Sequence, residues 1–354
     1  MKVIAIVGCG RIARNAHLPA LSTLENVRVK YACDLIEEKA KKLQEDFPII
    51  ENVITDFNVA LADPEVEAVF VLTPNYAHYT VTMAALRAGK HVLCEKPITV
   101  NYALSKEMKE EADKQGLMLN IGVCNRHNAS IERLYEMNKN GEFGEIYHIV
   151  CSFRCCRNIP GLGGDFTNKA VAGGGVLIAW GVHFLDLILY ILGGAKLKTV
   201  SCDTYNKMAT DMKAYKYKSM WGADTMNLDG VNDVDDFVTG YVRTDKASIS
   251  LNGAWAQNLD INEMYVDFLG DKKGARLNYG ALIEVFDGQT LETDKPEYDL
   301  PNMFAREEQA FFDAIDSGVK SRGNIDNVLE TAKLLDMLYQ SAEVHKELDA
   351  ETNF

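Results

Sequence analysis

Two short segments that lie far apart in the sequence carry side chains able to move a proton. The first, Cys94-Glu95-Lys96-Pro97, follows an apolar stretch typical of a β-strand. A lysine that is partly desolvated beside a cationic ring loses basicity, so Lys96 is a candidate general base and Glu95 a candidate for orienting it. The alternative is a solvated loop lysine. Ligands bind at strand ends in parallel sheets, so the position of Lys96 favours a catalytic role over a solvated loop lysine. The Lys96-Pro97 bond is a candidate cis peptide.

The second segment is the glycine run Gly173-Gly174-Gly175, which precedes an apolar stretch carrying His183. The spacing predicts a buried helix over residues 176–192. His183 and Asp186 are three residues apart on one helix face, so the carboxylate either holds the imidazole tautomer or pairs with an arginine elsewhere. A single histidine in an apolar helix is more often structural than catalytic, so the spacing alone leaves the role of His183 open.

A glycine motif near the amino terminus predicts a nucleotide site. Gly8-Cys9-Gly10-Arg11-Ile12-Ala13 follows a short apolar strand and opens a helix, the context that such a motif needs. Gly8 makes the turn, Gly10 lets a pyrophosphate approach the backbone, and Ala13 is small enough for the helix to pack on the strand. The helix start at Arg11 and Ile12 offers free N–H groups to the phosphates.

Asp34 ends the second strand-like stretch and selects the cofactor. A carboxylate there accepts hydrogen bonds from the ribose hydroxyls and repels a 2′-phosphate. Leu35 follows where a phosphate binder would have Arg or Ser, so the sequence predicts NAD rather than NADP. The alternative is that Asp34 caps a helix beginning at Ile36.

The next strand ends in Thr73-Pro74-Asn75, followed by His78. Ligands bind at the carboxyl ends of parallel strands, so these residues are candidate contacts to the nicotinamide half of the cofactor. The alternative is that Thr73 and Asn75 cap the helix from Ala77 and that His78 is structural, and the residues alone favour neither.

The order of the elements predicts two domains. Residues 1–123 alternate short apolar strands with amphipathic helices, which predicts a doubly wound parallel sheet of the Rossmann type. Strands are expected at 3–7, 28–33, 68–72, 91–94 and 118–123, and helices at 36–47 and 77–88. Residues 124–354 predict an α+β domain for substrate binding and oligomerisation, with a large, mostly antiparallel open sheet. Residues 205–230 resemble an inserted loop, and helices at 304–317 and 327–345 are candidates to pack back on the first domain.

Composition argues against several classes of binding partner. The 354 residues are 47% hydrophobic with a net charge of -14, so nucleic acid and anionic membranes are not expected partners. No uninterrupted apolar run approaches the ~20 residues that span a bilayer, and the chain begins with a strand rather than a signal peptide. Eight scattered cysteines fit a reducing cytoplasm, and the adjacent pair Cys155-Cys156 lacks zinc-ligand spacing, so no metal is predicted.

Taken together, these motifs resemble the Gfo/Idh/MocA family, the relatives of glucose-fructose oxidoreductase and inositol dehydrogenase. The likeness rests on Gly8 to Ala13, on Thr73-Pro74-Asn75 with His78, on Glu95-Lys96-Pro97, and on the glycine run leading to residues 181–186. It covers nearly the whole chain. The resemblance implies that Lys96 lies near the nicotinamide and His183 near the reacting hydroxyl, both as catalytic residues.

The resemblance also implies further site residues. Asn125 is expected at the cofactor and Arg126 at the substrate, both after the last strand of the first domain. The segment from Arg154 to Ala172 is similar to the substrate-facing loop of sugar-active relatives. Its candidate substrate contacts are Arg154, Arg157, Asn158, Asp165 and Lys169. The alternative is a surface loop with ordinary charges.

One position departs from the family pattern. Relatives usually carry an aspartate four residues before the histidine, where this chain has Ala179. One hypothesis is that Ala179 replaces that aspartate and slows turnover. Another is that Lys96 and His183 suffice, with Asp165 or Lys169 compensating.

The leading hypothesis for function is NAD-dependent oxidation of a secondary hydroxyl of a sugar, polyol or glycoside to a ketone. One alternative is a glycoside hydrolase that uses NAD transiently, through oxidation and elimination of the aglycone. Another is a cofactor-binding homologue without catalysis. An open sheet needs cover on its exposed face, so a homo-oligomer, dimer or tetramer, is expected.

Overall fold

The computed structural model describes residues 1–279 and 282–352. By internal contacts the chain divides into two compact units. The first combines Met1–His127 with Pro301–Leu329, and the second combines Asn128–Leu300 with the chain from Glu330 onwards. Each unit contains one β-sheet and one main hydrophobic core.

The first unit contains a six-stranded parallel sheet. Its strands are β1 (Lys2–Val7), β2 (Val27–Cys33), β3 (Ile50–Ile54), β4 (Ala68–Val71), β5 (His91–Glu95) and β6 (Leu119–Gly122). They lie in the order β3-β2-β1-β4-β5-β6, the order of a dinucleotide-binding fold, which confirms the predicted doubly wound sheet. The sequence prediction missed β3, because this edge strand has only one fully buried residue and lacks an apolar run.

Helices connect these strands. A π-helical segment, Ala13–His17, continues into α1 (Leu18–Leu21), and the later helices are α2 (Glu37–Asp46), α3 (Phe57–Ala62), α4 (His78–Arg87) and α5 (Tyr102–Gln115). Short 3₁₀ turns cover Asn75–Ala77 and Cys124–His127. The helices predicted at 36–47 and 77–88 are thus α2 and α4, within two residues at each end.

The second unit contains a nine-stranded sheet. Its strands are β7 (Ile146–Arg154), β8 (Leu197–Tyr205), β9 (Phe237–Thr244), β10 (Ser248–Ala254), β11 (Glu263–Gly270), β12 (Lys273–Asn278), β13 (Leu282–Asp287), β14 (Thr293–Asp294) and β15 (Leu348–Asp349). They lie in the order β14-β13-β12-β11-β7-β10-β9-β8-β15. In this second sheet, only β7 and β10 pair in parallel among the described strands. The predicted large, mostly antiparallel sheet is therefore confirmed.

Four α- and π-helical segments of the second unit precede β8 in the chain. They are α6 (Ala129–Lys139), the short α7 (Lys169–Ala172), a π-helical segment (Leu177–Gly181) and α8 (Val182–Ile191). The stretch Lys169–Ile191 has the length and apolar character of a membrane span, but 78% of its most apolar window is buried in the fold. It forms part of the main core of this unit.

Two helices follow the last long strands. They are α9 (Met303–Ser317) and α10 (Ile325–Val344). The sequence-based boundary at 123/124 assigned residues 124–354 to the second domain, with the C-terminal helices as candidates to pack back on the first, and the structure places 301–329, including α9, in the first unit. The physical reason is packing, because Phe311 and Phe312 of α9 contact Phe70 of β4 in the core of the parallel sheet.

Candidate active site

The glycine motif forms a tight turn between β1 and the following helix. Gly8 has φ +103°, and a Cβ atom there would lie 2.4 Å from the Leu72 carbonyl oxygen, so no other residue fits. An added Cβ at Gly10 meets nothing within 4 Å, which leaves open space above the helix start. Arg11 is exposed and Ile12 is half-buried beside that space. The start of a helix beside open space is a position at which backbone N–H groups can bind an anion.

Asp34 ties this turn to β2. The Cys9 N–H donates to Oδ2 of Asp34 at 3.0 Å, and the Ile36 N–H donates to Oδ1 at 2.9 Å. The second bond closes a local turn rather than capping α2, whose N-cap residue, Ile36, has no side-chain hydrogen bond. The carboxylate is half-buried at the strand end, the position at which it can accept the ribose hydroxyls.

The loop after β4 contains an unsatisfied polar atom. Thr73 Oγ1 is buried without a hydrogen-bond partner among the described residues. The N-cap residues of the Asn75–Ala77 turn and of α4, Pro74 and Ala77, form no side-chain capping hydrogen bond, and the Thr73 hydroxyl caps neither element. Pro74 is exposed at the turn. Thr73 thus keeps a free hydroxyl at the edge where a nucleotide binds.

His78 joins two loops. Its Nδ1 lies 2.8 Å from the Pro97 carbonyl oxygen and its Nε2 lies 2.9 Å from that of Thr73. The ring is 1% exposed, and burial lowers its pKa although both carbonyls oppose the change. His78 therefore holds the loops after β4 and β5 together, the structural role that the sequence left open.

Glu95 is the centre of a buried network. Its Oε1 lies 3.0 Å from His17 Nε2, and its Oε2 accepts the Lys96 N–H at 3.0 Å. His17 Nδ1 lies 2.9 Å from Glu308 Oε1 on α9. Burial opposes ionisation of Glu95, but the hydrogen bond and charge of His17 hold its pKa below the usual value. Glu95 was predicted to orient Lys96. The contact that the structure contains is between the Glu95 carboxylate and the backbone N–H of Lys96.

Lys96 follows the last residue of β5 and is half-buried, and the Lys96-Pro97 bond is cis as predicted. Its ammonium forms neither a hydrogen bond nor an ion pair that the described part of the chain records. A lysine held by its backbone but without a side-chain partner is available to a ligand.

Arg126 does not occupy the predicted substrate position. Its guanidinium is 2% exposed and donates to the carbonyl oxygens of Arg322 at 2.8 Å and Asn327 at 2.9 Å. The side chain therefore fixes the segment between α9 and α10. Asn125, its neighbour in the Cys124–His127 turn, is also buried, at 6% exposed. The prediction for Arg126 fails because residues nearly 200 positions away supply acceptors for a buried cation.

The glycine run at the start of the π-helical segment permits a close approach. A Cβ at Gly174 would lie 2.2 Å from Tyr339 Oη, and one at Gly175 would lie 1.9 Å from the Asp235 carbonyl oxygen. The Asp235 carboxylate accepts the N–H groups of Gly175 at 2.7 Å and Leu177 at 2.9 Å. Tyr339 donates to Asp235 Oδ1 at 3.0 Å and accepts the Ile178 N–H at 3.2 Å. A buried carboxylate thus caps the helix that carries His183.

His183 and Ala179 lie on that helix. Both are half-buried, and the Ala179 methyl group packs against the core. Asp186 is buried and accepts a hydrogen bond from Thr331 Oγ1 at 3.0 Å, a partner on α10 that neither sequence-based alternative contained. Residues 177–181 form a π-helical turn, a feature often found at functional sites.

The candidate substrate contacts of the second unit differ in availability. Arg154 donates to Glu263 at 2.5 Å, and the Arg157 guanidinium binds Asn258 and covers the Tyr215 ring at 5.4 Å. Asn158 Oδ1 is buried without a partner among the described residues. Asp165 and Lys169 are exposed, and no side-chain hydrogen bond or ion pair of either is present in the described part of the chain.

Residues 206–230 contact this loop, although most of them are exposed to solvent. The Gly161 N–H donates to the Trp221 carbonyl at 3.2 Å, and the Asn227 N–H donates to that of Leu162 at 2.9 Å. The Phe166 and Trp221 rings meet edge to face with centroids 4.5 Å apart. The insertion therefore orders the segment that carries the candidate substrate contacts.

Three residues that the sequence analysis did not select complete these arrangements. His17 was detectable as the one polar side chain of the stretch 16–21, and Glu308 as an acid on the helix face shared with Phe311 and Phe312. Asp235 follows the apolar Val234, two residues before β9. Each signal marks a buried charge but does not identify its partner.

The residues of the first unit fit NAD. The free Thr73 hydroxyl, the open space at Gly10 and the Asp34 carboxylate lie at the ends of neighbouring strands, where a dinucleotide crosses a sheet of this order. Asp34 would hold the adenine ribose and the glycine turn the pyrophosphate.

Both halves of the chain match models of known protein families. Residues 2–123 match the GFO_IDH_MocA model, described as an oxidoreductase family with an NAD-binding Rossmann fold. Residues 131–275 match the GFO/IDH/MocA C-terminal domain.

Full-length relatives and solved structures agree with this match. D-glucoside 3-dehydrogenase of Escherichia coli (strain K12) is 30% identical over 344 residues, 96% of this chain and 95% of that protein. A putative UDP-kanosamine synthase oxidoreductase subunit of Amycolatopsis mediterranei (strain S699) is 30% identical over 78% of this chain and 75% of that protein. The structure of levoglucosan dehydrogenase with NADH and levoglucosan superposes with a TM-score of 0.85 at 19% identity, covering 99% of both chains. At 19% identity, the superposition shows only that the two proteins share a fold.

Proposed function

Because the chain belongs to the Gfo/Idh/MocA family of NAD-binding oxidoreductases, we propose that it oxidises the 3-hydroxyl of a D-glucoside to a ketone. The observation that carries the proposal is the 30% identity to D-glucoside 3-dehydrogenase along 96% of this chain. NAD-dependent dehydrogenation is the activity of the family, and the sugar and the carbon are the proposed part.

The proton step is assigned to two side chains. NAD, when bound, would supply the acceptor for the hydride that leaves the carbinol carbon. The hydroxyl proton passes to the Lys96 amine or to the His183 imidazole, and a carbonyl group remains on the sugar. Lys96 supports this role because the described structure gives its ammonium no partner, while its backbone N–H is held by Glu95. His183 supports it because it is half-buried on a helix capped by Asp235.

Substrate binding is assigned to the loop after β7. Asp165, Lys169 and Asn158 keep polar atoms without protein partners in the described structure, so they are the contacts we retain. Arg154 and Arg157 remain candidates that would exchange a present partner for a sugar hydroxyl. Arg126 is withdrawn as a substrate contact, since its guanidinium fixes the segment between α9 and α10.

The decisive experiment follows two products in parallel. The purified chain is incubated with NAD and a panel of methyl and aryl D-glucosides, free sugars and inositols. Reduced nicotinamide is measured by absorbance and aglycone release by chromatography. Equimolar NADH and 3-ketoglucoside, absent in Lys96→Met, is the expected result. Aglycone release without NADH would instead indicate a hydrolase, and oxidation of inositols alone would overturn the glucoside assignment.

We also propose that the protein forms homo-oligomers in the cytoplasm. On the second sheet, Arg243 lies 4.9 Å from the Tyr241 ring centre and Arg276 lies 4.3 Å from that of Tyr265. Tyrosine and arginine are enriched at protein interfaces, so this surface suits a second copy. All eight cysteines are free and buried, which suits a reducing compartment. Light scattering during gel filtration should give a particle mass that is a multiple of the 39.4 kDa chain mass. The Tyr241→Glu variant should have a lower particle mass.

A further inference from the structure

The first unit contains a charged side-chain network below the strand end that carries Lys96. His17 is 0% exposed and lies between Glu95 of β5, at 3.0 Å, and Glu308 of α9, at 2.9 Å. Phe70 and Phe304 meet the imidazole ring edge to face, with centroids 5.9 and 5.5 Å away. The three charged groups therefore meet in an apolar surrounding, where their interactions are strong.

With Glu95 and Glu308 both ionised, the geometry requires His17 to be an imidazolium ion. A neutral ring donates from one nitrogen only, whereas both nitrogens here face carboxylate oxygens. Burial works against the charge, but the two carboxylates outweigh it and raise the pKa of His17 to about 10. Two acids and one cation leave an excess negative charge, and burial accordingly raises the pKa of Glu308 to about 7.

This network reaches Lys96 through Glu95. One oxygen of that carboxylate is bound by His17, and the other accepts the Lys96 N–H at 3.0 Å. The carboxylate is closely confined, since a Cβ at Gly122 of β6 would lie 2.8 Å from Glu95 Oε1. His17 ends the π-helical segment that begins three residues after Gly10. The helix of the nucleotide turn and the backbone of Lys96 are therefore joined through two side chains, those of His17 and Glu95.

We propose that His17 is a positioning residue that fixes Lys96 relative to the cofactor helix, through the Glu95 carboxylate and with Glu308 as its second anchor. The catalytic consequence rests on the proposed function, whereas the structural coupling does not. Since an error of about 1 Å in the placement of a reacting group can cost about 100-fold in rate, removal of His17 should act on turnover. Cofactor binding should change little, because Asp34 and the Cys33 carbonyl hold the glycine turn independently.

The test compares two histidines near the same strand. His17→Gln removes the imidazolium and keeps a polar amide of similar length. His91→Gln is the matched control, because His91 begins β5, where its Nδ1 accepts the Met118 N–H at 2.9 Å, and Lys96 follows the other end. Both variants are measured for kcat and KM with the D-glucoside, for NAD affinity by calorimetry, and for melting temperature.

A second readout needs no substrate. Hydrogen–deuterium exchange of peptides covering residues 92–99 reports the Lys96 amide, which the Glu95 carboxylate protects. His17→Gln is expected to speed this exchange at least about tenfold and to lower kcat about 100-fold, with NAD affinity within about threefold. His91→Gln should leave all three at parental values. Glu308→Gln, which leaves the bond between Glu95 and His17, should lower kcat by about tenfold or less.

Several results would overturn the proposal. Unchanged exchange at Lys96 in His17→Gln would remove the coupling, whatever the activity. A loss of kcat, NAD affinity and melting temperature together would indicate a general packing defect. If the parent oxidises no glucoside, the proposed function fails, and the exchange comparison of His17→Gln with His91→Gln still decides whether His17 fixes Lys96.

Discussion

The two segments that carry the candidate catalytic residues are held in different ways. Lys96 follows a parallel strand and is held by a side-chain relay of Glu95, His17 and Glu308. His183 lies on a helix whose first turn is capped by the Asp235 carboxylate and Tyr339. For Lys96, the Glu95 carboxylate binds the backbone N–H of the reactive residue itself. For His183, the Asp235 carboxylate binds the start of the helix and not the histidine. Changes to the first arrangement should therefore affect one residue, and changes to the second should affect every residue on the helix.

The largest expected effect is on chemistry at the strand end. Lys96→Met should lower kcat at least about 1,000-fold, because it removes a proton acceptor and leaves the main chain in place. NAD affinity, measured by calorimetry, should stay within about threefold. Lys42→Met, an exposed lysine on α2, is the control and should keep full activity. Residual activity above a tenth of the parent would contradict the assignment of Lys96.

Two glycines test whether the segments fail differently. Gly8→Ala and Gly175→Ala both force a Cβ onto a carbonyl oxygen, at 2.4 and 1.9 Å, and each should cost about 2–4 kcal/mol of unfolding free energy. Gly8→Ala should abolish NAD binding, while Gly175→Ala should keep NAD binding and lose turnover. Gly274→Ala, whose Cβ would lie 3.4 Å from its nearest neighbour, is the control. Equal loss of NAD binding in both variants would end the distinction between the segments.

A pH profile of stability tests the relay. Burial raises the pKa of Glu308 from 4.5 to about 7, so its contribution to stability is present below pH 4.5 and is lost as pH rises through about 7. The His17 contribution, with the pKa raised from 6.5 to about 10, is fully present below pH 6.5 and is lost as the pH rises through about 10.

Glu308→Gln should therefore flatten the profile between pH 4.5 and 7 by about 1–3 kcal/mol, measured by urea unfolding at each pH. The burial of Asp236, which raises its pKa to about 6, contributes to the same interval in both proteins and cancels in the difference. Parallel profiles for parent and variant would show that Glu308 does not titrate there.

The smallest expected effect is at the helix. Ala179→Asp adds an acid one turn before His183, and if the alanine limits proton transfer, kcat should rise about tenfold. Ala179→Asn adds similar volume without a titratable group and serves as the control. No gain in the aspartate variant would favour the second hypothesis, in which Lys96 and His183 suffice. A fall in melting temperature in both variants would indicate that the half-buried methyl group is needed for packing.

Several features were predictable because they depend on neighbours in sequence. Gly8 and Gly10 required only the turn between a strand and a helix, and the β4 and β5 ends followed from apolar runs with their polar successors. The order of the elements predicted a parallel sheet followed by a mostly antiparallel one, and both are present. By contrast β3, with one fully buried residue, gave too weak an apolar pattern to be recognised.

The site residues that failed or were missed have partners far away in the chain. Arg126 was expected at the substrate, yet its acceptors are carbonyl groups of residues 322 and 327. Asp186, which the sequence sets on one helix face with His183, accepts a hydrogen bond from Thr331, 145 positions along the chain. Neither contact leaves a periodic signal, because a buried polar group needs a partner of the right chemistry rather than one at a given spacing.

The amino-acid sequence by itself determined the two sheets, the nucleotide turn and the motif that presents Lys96, because these depend on local backbone geometry and on the alternation of apolar residues. Only the tertiary structure decided which buried charges meet, such as His17 with Glu95 and Glu308, and Asp235 with Tyr339 and the glycine run. The physical reason is that a charge withdrawn from water must be paired, and its partner is supplied by whichever element the fold brings beside it.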